Sequence, residues 1–177
     1  MEWVSILISI LVVAILFFSF IGGFKEGAVK RFFSFVSLII AIPVAGVSYH
    51  LLANLLSFLP GENWENFVGF LISLVIVSII LHLILLLPRK LIQKVWNKGF
   101  LFRLIGGVIN IFNSVIGMVV FALLIQAYPI IGWLERAVVN SSVLVWLVVH
   151  LGFVQSLLPD VFQGGEFTIF RIAEIVY

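Results

Sequence analysis

The chain has 177 residues, of which 63% are hydrophobic and 10% are charged, and it carries a formal net charge of +2 and no cysteine. Ordinary soluble domains carry about 25% charged residues. This composition therefore excludes a typical soluble globular protein and indicates that lipid covers most of the surface. The lack of cysteine excludes disulfides and thiolate metal sites.

Four apolar runs are long enough to cross a bilayer, which takes about 20 residues of helix. The sequence predicts these spans at residues 3–21, 32–56, 67–87 and 104–127. It therefore predicts an all-α fold, an integral membrane bundle of four transmembrane helices over residues 1–134. Residues 135–177 form the predicted tail, which is apolar and then amphipathic.

The apolar part of the tail, residues 143–158, is shorter than a comfortable span and contains His150 and Gln155. Such a segment can lie in the interface, enter the membrane and return, or cross as a fifth helix. We favour a re-entrant or interfacial segment. Residues 166–177 show helical spacing of apolar side chains and predict an amphipathic helix on the outer membrane face.

The basic residues predict the orientation of the spans. The first and third loops hold eight of the ten Lys and Arg residues, and the second loop holds none. Because cytoplasmic loops are enriched in Lys and Arg, we expect these two loops in the cytoplasm. Both termini are then expected outside.

The fourth span has one small and polar face among Ile, Val, Phe and Leu. Its members follow one another at steps of three and four residues: Arg103, Gly106, Gly107, Asn110, Asn113, Ser114 and Gly117. Small residues allow membrane helices to approach closely, so helix packing is one interpretation. The other is a polar path for a solute along the two asparagines.

A proline within the second span, Pro43, removes one helical hydrogen bond and predicts a kink, which makes it a candidate hinge. His50 and His82 lie near opposite ends of their spans, so a shared metal is not expected. No nucleophile elbow, phosphate-binding loop or zinc-protease motif is present. The sequence therefore predicts no enzyme, no metal and no cofactor.

The third loop predicts contact with a lipid surface. Lys90, Lys94 and Lys98 repeat every four residues beside apolar side chains, and Gly99 is expected to end the segment. Such a segment lies on a leaflet with its lysines near anionic lipid. Because the membrane explains these charges, no nucleic-acid partner is expected.

Three short motifs, IGGFKEG at residues 21–27, RLIG at 103–106 and NSS at 140–142, resemble those of the colicin V production protein family (the CvpA family) of small bacterial membrane proteins. Residues 21–27 (IGGFKEG) are similar to the family's glycine–phenylalanine turn with following charges. Residues 103–106 (RLIG) resemble its Arg-x-x-Gly entry to the fourth span. Residues 140–142 and the later leucine-rich segment with Pro159 resemble its tail.

The chain also departs from the family pattern. Phe102 stands where an acidic residue is frequent, and Gly22 stands where a basic residue is frequent. Asn110 and Ser114 replace family glycines, and Asn113 replaces an arginine.

The resemblance implies four spans, a bacterial cytoplasmic membrane and a role in colicin V production or export, with no catalytic residues to carry over. Our leading hypothesis is a non-enzymatic protein of toxin production, export or envelope function. Its expected partners are the lipid bilayer and either other membrane proteins or further copies of the chain. The alternative is a small transporter or channel subunit with a polar path along the fourth span.

Overall fold

A computed structural model describes residues 2–96 and 99–158. Over these residues the chain is helical and contains no strand. The helices are α1 (Glu2–Glu26), α2 (Ala28–Leu55), α3 (Glu62–Ile84), α4 (Leu86–Trp96), α5 (Phe100–Ala127), α6 (Gly132–Val139), α7 (Ser142–His150) and α8 (Phe153–Ser156).

Within the described residues, α1, α2, α3 and α5 are long and apolar enough to cross a membrane. The prediction of an all-α membrane protein with four spans is therefore confirmed. Each of these helices extends four or five residues beyond the predicted span at one end, whereas α3 ends three residues before the predicted residue 87.

The predicted first loop, residues 22–31, is wrong as a loop. Only Gly27 separates α1 from α2, and its φ of 82° is a left-handed conformation that favours glycine. Glu26 and Lys30 form an ion pair four residues apart. Glu26 is the last residue of α1 and Lys30 lies in the first turn of α2, so the two helices include the charged residues on both sides of the turn.

The predicted third loop is also largely helical. It contains α4, which follows α3 after the single residue Leu85. Gly99, with a φ of 146°, immediately precedes α5. This agrees with the prediction that Gly99 ends the amphipathic segment.

Among the four spans, α2 and α5 pack against each other and form the central pair. Helix α1 packs mainly on α5, and α3 packs mainly on α2. Helix α5 is the most buried span, whereas most large side chains of α1 are exposed. The centre of the protein is therefore α5, and α1 lies at the periphery.

The buried core surrounds the second half of α5. Leu123, Leu124 and Ile125 are fully buried there, together with Tyr49 of α2 and Phe70 of α3. Tyr128, the residue after α5, shares a 2.8 Å hydrogen bond between hydroxyl groups with Tyr49. Burial, and then this hydrogen bond, raise the pKa of Tyr128 well above its usual value. The Tyr128 hydroxyl therefore stays protonated, and its hydrogen bond to Tyr49 joins α2 to the end of α5.

The tail begins with a bent pair of apolar helices, α6 and α7, whose axes differ by 71°. By length and composition they form either one broken span or a re-entrant segment. The predicted segment 143–158 starts within this pair and is interrupted after His150, before α8. The prediction of a re-entrant or interfacial apolar segment fits the bent pair. The amphipathic helix predicted for residues 166–177 lies outside the described residues, and the division at residue 134 stays a prediction.

Candidate functional site

The closest approach of two spans is a seam between α1 and α5, which run antiparallel. A side-chain carbon on Gly106 would lie 2.6 Å from the Gly27 carbonyl carbon and 2.7 Å from the Gly23 oxygen. A side-chain carbon on Gly23 would in turn lie 2.5 Å from the Asn110 Cβ. These distances are too short for any side chain, so only glycine permits the two backbones to meet here. We call this region, formed by Gly22, Gly23, Gly27, Gly106 and Gly107, the glycine junction.

Hydrogen bonds continue the seam beyond the glycine junction. The Asn110 amide donates to the backbone oxygen of Ser19 at 2.5 Å, and the hydroxyls of Ser19 and Ser114 lie 2.6 Å apart. Asn110 is buried. Polar bonds of this kind hold membrane helices together, at about 0.6 kcal/mol each on average.

Gly107 extends the junction toward an aromatic side chain. Its missing side chain leaves room for the ring of Phe20, which would lie 2.6 Å from a carbon added there. Glycines occupy two successive positions of α5, and neither covers its backbone with a side chain. Gly106 can therefore meet the backbone of Gly23, and Gly107 can meet the ring of Phe20. The junction is therefore a complementary surface and not an open space.

A cluster of charged side chains lies beside the glycine junction, on the side of α2. The Glu26 carboxylate contacts the Lys30 ammonium at 2.9 Å and the Arg31 guanidinium at 3.0 Å. Arg31 is largely buried, and a carbon placed on Gly22 would lie 3.7 Å from its Nη2 and 3.7 Å from the Asn110 Nδ2. The carboxylate therefore compensates a cation that lies beside the polar part of the seam. The Arg31 Nε is buried and has no hydrogen-bond partner.

The remaining members of the predicted polar face lie outside the seam. Arg103 is exposed, and the Asn113 side-chain oxygen is buried without a hydrogen-bond partner. Gly117 has open space beside it and lines a hollow of about 420 Å³ whose walls are mainly apolar. The structure thus brings Gly106, Gly107, Asn110 and Ser114 together and separates the other three. A continuous polar path along all seven stays a prediction.

The other predicted residues lie elsewhere. Pro43 is inside α2, which continues through it from Ala28 to Leu55, so a hinge there stays a prediction. Lys90 is exposed on α4 between the exposed side chains Leu87 and Leu91. Lys94 lies further along α4, and Lys98 lies outside the described residues.

Sequence reasoning missed the charged cluster and a contact in the tail. The spacing of Glu26 and Lys30 was a usable signal, because opposite charges four residues apart meet on a helix; in the structure they meet across the Gly27 turn. No local signal identified the 3.0 Å contact between the hydroxyls of Ser9 and Ser141, which are 132 residues apart.

The site offers tight helix contact and paired charges. Among the described residues, no three His, Asp or Glu side chains are placed to hold a metal ion.

The protein-family model described as "Colicin V production protein" matches residues 8–152 of the chain. This range includes the glycine junction, the charged cluster and the bent pair. Comparisons with curated proteins and with solved structures found no match.

Proposed function

The chain belongs to the colicin V production protein family, and from this membership we propose that it is a non-enzymatic protein of the bacterial cytoplasmic membrane. We propose that it acts in toxin production or export, or in envelope function, through contacts with other membrane proteins or with further copies of itself. The observation that carries this proposal is the family match over most of a multi-pass membrane protein.

The geometry of the seam supports a packing role for its polar groups. Asn110 and Ser114 each bond to Ser19 of α1, and Glu26 is neutralised by two cations. Groups engaged in this way stabilise one arrangement of the spans. We therefore propose that Gly106, Gly107, Asn110 and Ser114 act in helix packing.

The peripheral position of α1 supports a role through partners. Its large side chains point mostly outward, as Leu7 and Phe18 show with 63% and 69% exposure. A span held mainly on one side presents its other side to lipid or to another helix.

We further propose that the basic segments face the cytoplasm and that α4 lies on that leaflet. Exposed Lys90 and exposed Leu87 and Leu91 give this helix both kinds of contact that an anionic lipid surface offers.

Site-specific photocrosslinking in native membranes tests the partner role. A photoreactive residue in place of exposed Phe18 is expected to give a protein adduct, whereas one in place of Val12, 2% exposed on the same helix, is not. The same cells report colicin V release, which is expected to fall when the chain is removed. Lipid adducts alone at Phe18, with unchanged release, would contradict the proposal.

The alternative, a transporter or channel subunit, is favoured by the Asn113 oxygen, which is buried without a partner. The purified protein in liposomes distinguishes the two functions. Solute-specific flux that disappears when Asn110 and Asn113 become leucine would support the alternative and overturn our proposal.

A further inference from the structure

An open groove lies between the first half of α1 and the bend that joins α6 to α7. The volume of this groove is about 870 Å³, within the range of roughly 300–1,000 Å³ for ligand pockets. Its wall combines hydroxyl and amide side chains with apolar ones: Ser5, Ser9, Asn140, Ser142, Ile6 and Ile10. We call it the serine groove.

The polar wall of the serine groove extends into the apolar first half of α1. Ser9 is about 10 Å along α1 from its start, at 1.5 Å per residue. Its hydroxyl donates to the Ser5 backbone oxygen and accepts from the buried Ser141 hydroxyl, each at 3.0 Å. Asn140 and Ser142, on either side of Ser141, are exposed. Polar groups facing hydrocarbon are costly unless something polar meets them, so this wall fits a partly polar occupant.

A positive charge lies at the mouth of the serine groove. Arg136 and Trp133 line a smaller hollow that shares Ser5 and Asn140 with the groove. The Arg136 Nε donates to the Gly132 oxygen at 3.0 Å, and Arg136 is exposed. It forms no ion pair with any acidic side chain that the structure describes. The terminal nitrogens of a guanidinium group can contact an anion through two parallel hydrogen bonds.

The Asn140 amide nitrogen donates to the Arg136 backbone oxygen at 2.8 Å. This bond turns the amide toward α6 and keeps it next to the arginine. Farther along α1 from Ser5, the wall of the groove becomes apolar at Ile10 and Val13. The order is thus cation, then hydroxyl and amide groups, then hydrocarbon.

We propose that the serine groove binds one phospholipid with an anionic headgroup. The headgroup phosphate contacts Arg136, the glycerol region contacts Ser5 and Asn140, and one acyl chain lies along Ile10 and Val13. An amphiphile matches this order of groups, whereas a fully polar solute would leave the apolar wall exposed. This inference is independent of the proposed function.

Fluorescence quenching by brominated lipid tests the proposal at the groove itself. Phenylalanine replaces the other four tryptophans, Trp3, Trp64, Trp96 and Trp146, so that Trp133 reports alone. The protein is placed in vesicles that mix brominated phosphatidylcholine with plain phosphatidylglycerol. We expect phosphatidylglycerol to displace the quencher with about fivefold preference, as one cationic side chain near anionic lipid predicts.

Three variants and the addition of inorganic phosphate test whether the preference for phosphatidylglycerol arises at the serine groove. Arg136→Gln is expected to abolish the preference and Arg136→Lys to retain it, whereas Arg103→Gln removes an exposed arginine elsewhere and is expected to leave it unchanged. Inorganic phosphate is expected to have no effect. Equal preference in Arg136→Gln and the parent, loss in Arg103→Gln, or displacement by inorganic phosphate would each overturn the proposal.

Native mass spectrometry keeps the test decisive if the multiple tryptophan replacements prevent folding. With all tryptophans present, Arg136→Gln is expected to retain one phosphatidylglycerol fewer than Arg103→Gln. Equal numbers of retained lipids in these two variants would also overturn the proposal.

Discussion

Replacing Gly106 with alanine introduces a single carbon at the tightest point of the glycine junction. That carbon would lie 2.6 Å from the Gly27 carbonyl carbon, about 0.8 Å short of ordinary van der Waals contact. The three nearest atoms, at 2.6, 2.7 and 2.8 Å, all belong to the backbone, so none can move away by a side-chain rotation. The two helices therefore have to separate.

The free energy of the change follows from three effects. Overpacking of this kind costs about 1–3 kcal/mol. Separation also weakens the Asn110–Ser19 and Ser19–Ser114 hydrogen bonds, at about 0.6 kcal/mol each. The alanine also stabilises the folded state by about 0.5–1 kcal/mol, because alanine favours a helix more than glycine does. We expect a net loss of about 1–3 kcal/mol.

The matched control is Gly117→Ala on the same helix, where an added carbon meets nothing within 4 Å. It gains helix propensity without steric cost, so we expect it to be neutral or slightly stabilising. Unfolding by sodium dodecyl sulfate titration in mixed micelles measures both variants against the unchanged chain. Equal stability of Gly106→Ala and Gly117→Ala would refute the close packing of α1 on α5.

Three further predictions concern the tyrosine pair and the topology. Tyr128→Phe removes the hydrogen-bond partner of the buried Tyr49 hydroxyl, so it is expected to lower the free energy of unfolding by about 1–3 kcal/mol in the same assay. Replacing both tyrosines with phenylalanine is expected to recover part of this loss. No recovery would contradict the pairing. A cysteine at Asn63 is expected to react with a membrane-impermeant reagent on intact cells and one at Lys94 is not; the reverse pattern would invert the orientation. A phosphatase fused after Tyr177 is expected to be active, because we expect the tail to return to the outer side; an inactive fusion together with a fluorescent cytoplasmic reporter would establish a fifth span.

The spans could be predicted because hydrophobicity reports directly on contact with lipid. Their ends could not, because helical structure continues through charged residues such as Glu26 and Lys30. The single turn residue was Gly27, and its left-handed backbone has no signature that distinguishes it from the neighbouring glycines.

The candidate site could be predicted in part. The small residues of α5 identified the helix face, but the sequence did not show which span meets it. That depends on contacts between positions far apart, such as Ser19 and Ser114. The same face also contains Gly117, where an added side-chain carbon would meet nothing within 4 Å. Spacing alone therefore does not separate a close contact from a hollow.

The pairing of the first span with the last has a consequence for assembly during synthesis. The hydrogen-bonded residues of the α1–α5 seam are 95 positions apart. At roughly 5–20 residues per second, α1 is in the membrane for about 5–20 s before its partner is made. In that interval α2 and α3 can form their own hairpin, because they are adjacent in sequence and in space. The seam therefore cannot form until α5 is made, and α1 is inserted well before the helix that fixes its place.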